Sequence, residues 1–376
     1  ALIAPNGVRL RVLAEVETTL PESLWLTIDS GLQEYVLRVL GEAWVDAADG
    51  WGSISKGGAA IILDIKTGEI LAMASYPTYE GNAFNPFPAV GQAVAREVIA
   101  ALAEDERVPQ LNRAAQATYP AGSTWKVVDA IAVADSGVYA YDRAYVCGGV
   151  WQQGNDRRFD WLAGAHGRVT ISSALTTSCN PFFYEVGYQL DLIDPFLLPS
   201  YARRLGLGSA TGLGDLPEAA GRIIDPDWVR TNRGWGWSFS DAVNMAIGQG
   251  ESEVTPLQMV RLYAGIANGG DLIRPYLVRE KGILNQRTLV AVPSVNGNFD
   301  VKPEVLELVQ GGLCDVTTAY SGTATHIFVN SPLLNLGVCA KTGTATSGPP
   351  GVPPHSWFVT YHDCYRSGRA GDPPRP

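Results

Sequence analysis

Residues 118–137, TYPAGSTWKVVDAIAVADSG, decide how the rest of the chain is read. Pro120, Ala121 and Gly122 break the chain just before Ser123, and Trp125, Val127, Val128, Ile131 and Val133 then read as an apolar helix buried on most sides. Ser123 falls in the first turn, where backbone N–H groups lack intrahelical partners and can donate to a developing negative charge. Lys126, three residues on, shares that face one turn below the hydroxyl. Burial and the positive end of the helix both disfavour an ammonium, so a neutral amine able to take the serine's proton is physically reasonable there.

Ser-x-x-Lys alone is weak, because it recurs at Ser53–Lys56 in WGSISKGG. There the pair sits in a Gly-flanked connector that alternates like the entry to a strand, and a period of two puts residues three apart on opposite faces. Lys-Thr-Gly is also duplicated, at 66–68 in IKTGEIL and at 341–343 in AKTGTAT. The first copy lies between two short apolar runs in GGAAIILDIKTGEILAMASYP, so it reads as the turn of a hairpin. Ser-x-Asn occurs at Ser178–Asn180 and Ser294–Asn296. Ser123-Lys126, Ser178-Cys179-Asn180 and Lys341-Thr342-Gly343 run in the chain order of the penicillin-recognising serine enzymes, whereas Ser53, Lys66 and Ser294 do not.

Composition narrows the alternatives. With 376 residues, 46% apolar and 18% charged, the chain has the makeup of a folded globular core. A net charge of −10 argues against nucleic acid as a partner. Five scattered cysteines (Cys147, Cys179, Cys314, Cys339, Cys364) contain no Cys-x-x-Cys pair and no histidine at ligand spacing, so no metal is expected. Their odd number leaves at least one thiol free, and their spacing gives no pairing. With four histidines (His166, His326, His355, His362) and no Gly-x-Ser-x-Gly elbow, a Ser/His/Asp triad is disfavoured. His355, just before a strand-like run, reads as structural. Gly206-x-Gly208 lacks the strand and spacing of a dinucleotide loop. No run of about 18 apolar residues and no signal segment is present. The chain opens at Ala1 in mid-phrase, as expected of a processed or truncated product whose anchor lies outside it.

Along the chain, TIDSGLQEYVLRVLGEAW reads as a helix capped by Asp29 or Ser30, followed by the hairpin. Residues 90–270 are read as mainly helical, ending in a helix begun by Thr255 and Pro256 and stopped by a Gly pair. Residues 206–250 are read as ordered loops within that region. PEVLELVQGGLCDVT is a further helix, and LGVCAKTGTATSG and HSWFVTY are strand-like. The polar, Pro-rich tail after His362 is expected to be disordered. The expectation is an α/β (α+β) fold: one antiparallel sheet built from N- and C-terminal strands, with flanking helices and an all-helical subdomain over roughly 90–250.

YPAGSTWK, SCNPFFYEVG, IGQGESEVTPLQMVRLYAGIANGG and AKTGTA followed by HSWFV closely resemble the transpeptidase domain of class B penicillin-binding proteins, the elongation type in particular. LTIDSGLQEYV and ILDIKTGEILAMASYP are similar to that family's opening helix and first hairpin. The resemblance spans residues 26–361, with 1–25 left as a linker or pedestal remnant and 362–376 as a tail. It implies the penicillin-binding, serine β-lactamase-like fold and a D,D-transpeptidase that cross-links peptidoglycan stem peptides ending in D-Ala-D-Ala, without a cofactor. β-Lactam antibiotics would acylate it. It would act at the outer face of the bacterial cytoplasmic membrane beside a membrane glycosyltransferase. Ser123 would be the nucleophile, Lys126 the base, Ser178 a proton relay and Asn180 the holder of Lys126 and a substrate amide. Lys341 would bring positive charge, Thr342 and Thr344 hydroxyls for the terminal carboxylate, and Gly343 room for an extended substrate. The N–H groups of Ser123 and Thr344 would form the oxyanion hole.

Two other outcomes follow from the same resemblance. A serine β-lactamase or D,D-carboxypeptidase must activate water, and Glu280 in REKGILNQ is one residue out of step with the Glu-x-x-Leu-Asn motif that does so, so it reads as loop. A non-catalytic scaffold or sensor is the third possibility. It is kept open because the resemblance leaves little of the family's anchor and pedestal and none of its closing strand and helix after HSWFVTY, whose loss would be expected to expose a sheet edge.

Overall fold

The computed structural model describes residues 2–3, 9–11, 21–283, 285–346 and 352–362. The first helix, α1 (Ser30–Asp46), starts where the Asp29 side chain accepts a hydrogen bond from Leu32 N. Strands β1 (Gly58–Leu63) and β2 (Ile70–Tyr76) then form the expected antiparallel hairpin, with Ile61 opposite Met73. Gln33 of α1 exchanges two hydrogen bonds with the Met73 backbone, fixing helix to hairpin.

Helices α2 (Gln92–Glu104), α3 (Lys126–Asp135), α4 (Ile171–Thr177), α5 (Asn180–Ile193), α6 (Leu197–Arg204), α7 (Pro226–Arg233), α8 (Phe239–Met245), α9 (Pro256–Asn268) and α10 (Pro303–Thr318) follow in order. α3 lies at the centre of the largest core cluster, with Lys126 through Ala134 all buried. Val128, Ile131 and Val133 there pack with Leu175, Phe182 and Phe183 of α4 and α5. Each such side chain contributes about 1.5–3 kcal/mol by leaving water. α9 has the bounds its sequence signals: a Thr255–Gln258 capping box, Pro256 in the first turn and Gly269 in the left-handed conformation at the end.

Strands β3 (Val338–Ala345) and β4 (His355–His362) pair antiparallel, with Lys341 opposite Val359. This ribbon and the β1–β2 hairpin both pack against α9. Among the described residues they do not hydrogen-bond to each other, so the one continuous sheet expected is two ribbons. The helical region is not all-helical either: Tyr145–Cys147 pairs with Gly167–Val169, and Val150–Gln153 with Asp156–Phe159. Strands of three or four residues are too short for alternation to show in sequence. Residues 206–250 are also not loop throughout, since α7 and α8 lie there behind Asp225 and Ser238 caps.

Glu280 lies on a strand, not a loop. Val278–Ile283 pairs with Ser23–Leu26 and Gln286–Leu289, and Glu280 faces Arg279 and Arg287. Disulfides join Cys147 to Cys179 and Cys314 to Cys339, pairings that spacing could not give. Cys364 and the 363–376 tail lie outside the described residues, as does most of the 1–25 segment. No helix of the described residues is long and apolar enough to cross a membrane.

Candidate active site

Ser123 sits in a short 3₁₀ turn, Gly122–Trp125, that runs directly into α3. The turn is held on several sides. Gly122 N donates to Gly248 O, Trp357 Nε1 of β4 donates to Pro120 O at 2.9 Å, and Tyr263 of α9 donates its hydroxyl to Thr124 O at 3.0 Å. β3 runs along it so closely that a Cβ on Gly122 would come 2.5 Å from the Thr344 carbonyl oxygen. A Cβ on Gly343 would come 2.9 Å from the Thr124 methyl and 3.1 Å from Trp357 Cβ. Packing by itself requires glycine at 343: the turn and β4 occupy the space a side chain would need.

The segment 177–180 supplies the second wall. Ser178 ends α4 in the left-handed conformation, φ 55°, and Cys179 caps α5, its sulfur accepting from Phe182 N. The capping and the catalytic readings of Ser-Cys-Asn are thus compatible: two helix ends meet there, and the junction aims two side chains at one amine. Lys126 Nζ donates to Ser178 O at 2.8 Å and to Asn180 Oδ1 at 2.6 Å, and lies 3.1 Å from Ser178 Oγ. From β3, Lys341 Nζ reaches the same Ser178 Oγ at 2.9 Å and donates to Thr342 O at 3.1 Å. Among the described residues the Ser123 hydroxyl makes no hydrogen bond of its own.

Both lysines are fully buried. Burial first, and the nearby Lys341 charge second, hold Lys126 well below the usual lysine range, while Asp160 and Asp129 pull the other way. Burial brings Lys341 down to about 7. Two ammonium groups cannot share one hydroxyl in such a place at low cost, so the free base is the comfortable state of Lys126. It keeps two N–H bonds for Ser178 O and Asn180 Oδ1 and a lone pair for a hydroxyl proton. Asp129, on the same helix, is also fully buried with neither carboxylate oxygen partnered, and burial pushes its carboxyl well above the usual range.

The structure brings Lys126, Ser178, Asn180 and Lys341 into contact and places Thr342, Gly343 and Thr344 on the strand against the Ser123 turn. Thr342 Oγ1 shares a hydrogen bond of 2.8 Å with Thr323 Oγ1, a partner no motif announced. The rival copies are accounted for elsewhere. Ser53 donates to Gly50 O; the Asp64 carboxylate accepts from Lys66 N and Thr67 N in the hairpin turn; Asn296 bonds Arg261 and Thr211 O. His355 packs edge-on against Tyr119, ring centres 4.8 Å apart. Ligand-type atoms of Cys147, Asp160 and Cys179 lie within 4.8 Å of one another, with His166 Nε2 3.2 Å from Asp160, a convergence that sequence spacing hid. The two sulfurs are joined as a disulfide.

A family model described as the penicillin binding protein transpeptidase domain matches residues 58–364. The peptidoglycan D,D-transpeptidase MrdA of Escherichia coli is 29% identical over 342 residues, which cover 90% of this chain and 50% of MrdA. A chain from a structure on the coordination of polymerization and crosslinking by a peptidoglycan synthase complex is 31% identical, with TM-score 0.79 over 96% of this chain and 60% of that one. Pseudomonas aeruginosa PBP2, solved with WCK 5153, is 27% identical, with TM-score 0.72 over 90% of this chain and 70% of that one. The chain spans about half the length of the curated MrdA relatives it matches.

Proposed function

Since the chain belongs to the penicillin-binding protein transpeptidase family, we propose that it is a serine D,D-transpeptidase of peptidoglycan, acylated by a stem peptide ending in D-Ala-D-Ala and by β-lactams. The observation that carries this reading is the convergence of the Lys126 and Lys341 amines on the buried Ser178 hydroxyl, with Asn180 accepting from Lys126, beside the Ser123 turn.

In this reading Ser123 Oγ attacks the carbonyl between the two D-alanines as Lys126, the free base, takes its proton. The tetrahedral oxyanion accepts from the N–H groups of Ser123 and Thr344, a reading supported by the close packing of Thr344 on Gly122 of the turn. Ser178, between the two lysines, passes a proton to the leaving D-alanine amine, and the C–N bond breaks to leave the acyl-enzyme. Asn180 holds Lys126 and the substrate amide. Lys341 attracts the terminal carboxylate and polarises Ser178, with the Thr342 and Thr344 hydroxyls as further donors. An amine from a neighbouring stem then takes the acyl group, closing the cross-link and freeing Ser123.

The relative from a complex that coordinates polymerization and crosslinking supports a glycosyltransferase partner, and work at the outer face of the cytoplasmic membrane belongs to the same reading. Glu280, the residue considered for a hydrolytic enzyme, faces arginines within its own sheet, which favours a stable acyl-enzyme over a hydrolysed one.

The test is labelling with fluorescent penicillin followed by intact mass over hours. The expected result is one adduct that persists, is absent in Ser123→Ala and is retained in Ser53→Ala. Rapid release would favour a β-lactamase or carboxypeptidase, and no adduct a non-catalytic scaffold.

A further inference from the structure

β3 has one edge taken and one edge open. β4 pairs along the first. On the second, the Thr344 carbonyl oxygen faces Gly122, so the backbone groups of Thr344 and of Thr346, two residues on, point to the side of the Ser123 turn and away from β4. Both threonines are exposed, and an open edge of this kind is a template for an added extended chain.

That edge is not bare. Gln249, in the turn after α8, lays its half-buried side chain across it. In one orientation of the carboxamide, Nε2 donates to Thr344 O at 3.4 Å. In the other, which satisfies both of its groups, it donates to Thr346 O at 3.2 Å and accepts from Thr346 N at 3.3 Å. A donor and an acceptor presented to one backbone residue is the pairing that a strand neighbour makes, supplied here by a side chain. The backbone fixes its reach. Gln249 N donates to Asn244 O of α8 at 3.0 Å, and Gly248 O accepts from Gly122 N at 2.9 Å. Gly248 has φ 68° and lies so close to the turn that a Cβ there would collide with Gly122 O. The residue that covers the edge is thus tied to the turn that carries Ser123.

We propose that Gln249 is a specificity-determining residue that guards the open edge of β3. Its carboxamide stands where the amide of an extended peptide would pair, and a ligand gains that stretch of edge only by supplying an amide in exchange. The proposal rests on the transpeptidase reading, in which a peptide lies along β3 beside Ser123. A ligand with a peptide-like amide at this point exchanges one set of hydrogen bonds for another, but it must first displace a competitor that never leaves the molecule. A ligand that stops short of the edge leaves Gln249 seated and is indifferent to it.

The experiment compares two ligands by intact mass: benzylpenicillin, whose side chain is joined through an amide, and 6-aminopenicillanic acid, the same nucleus with a free amine at that point. Second-order acylation rates and melting temperatures are measured for wild type, Gln249→Ala and Gln249→Met. Both variants are expected to melt with the wild type and to acylate about fivefold faster with benzylpenicillin, the scale of one hydrogen bond's net contribution, while the 6-aminopenicillanic acid rate stays within about twofold. Gln249→Met keeps the bulk and loses the amide, so acceleration in Gln249→Ala alone would show mere steric cover and overturn the proposal. Equal acceleration of both ligands, no change in either, or slower acylation by benzylpenicillin would also overturn it, with the transpeptidase reading intact. A wild type that neither ligand acylates at Ser123 would overturn that reading, and the proposal with it.

Discussion

Lys66-Thr67-Gly68 and Lys341-Thr342-Gly343 are the same tripeptide in two environments. Lys66 is exposed in a turn whose shape is fixed by the Asp64 carboxylate accepting from Lys66 N and Thr67 N. Lys341 is fully buried on β3, with its amine on Ser178 Oγ. Lys341 has been removed from water, and burial there makes the lysine's proton negotiable near neutrality. Chemistry at these sites follows from burial and from what the amine meets, not from the three letters.

The comparison can be broken first on activity. Lys341→Ala is expected to slow acylation by about a hundredfold, the scale of a lost proton-transfer partner, whereas Lys66→Ala is expected to leave the rate within about twofold. Equal effects in a stopped-flow acylation assay would show that the turn and the strand are not functionally distinct.

The glycines sharpen it. Gly343→Ala forces a methyl between Thr124 and Trp357, for an expected loss of about 1–3 kcal/mol in denaturant unfolding and slower acylation, since the intrusion pries β3 from the Ser123 turn. Gly68→Ala also destabilises, because Gly68 has φ +81° and packs on the Arg274 backbone, but its acylation rate is expected to hold.

The smallest effect is one of stability against pH. The folded state depresses the Lys341 pKa to about 7, so between that value and the ordinary lysine range the unfolded chain binds the extra proton, and stability from this group rises with pH. Lys341→Met lacks that slope. Its melting temperature is expected to gain on wild type as pH falls from about 10 to 7. A constant difference would mean that Lys341 stays charged when folded.

Local signals carried much of the fold. The Thr255, Pro256 and Gly269 boundaries of α9, the Asp29 cap and the 64–68 turn all rest on bonds within a few residues, so their sequences announce them. The candidate site was legible through motif order, because a serine, its lysine and two distant motifs constrain one another. What stayed hidden depends on chain closure. Asp160, Trp161 and Thr323 touch motif residues or, for Trp161, the residue just before one, from 16 to 20 positions away, by side-chain to backbone or hydroxyl to hydroxyl bonds that leave no periodicity. The 145–169 ribbons are too short to alternate visibly, and the disulfide partners are matched by topology, not spacing.

Helix α10 ties two of these parts together. Gly312 of α10 accepts a hydrogen bond from Thr176 of α4, two residues before Ser178, while Cys314 is bonded to Cys339, two residues before Lys341. One rod thus serves as the common baseplate for the left and right jaws of the amine pair. A force that tilts it would act on the Ser178 and Lys341 segments together, so strain travelling by that route would reach their shared hydroxyl contact from both sides at once.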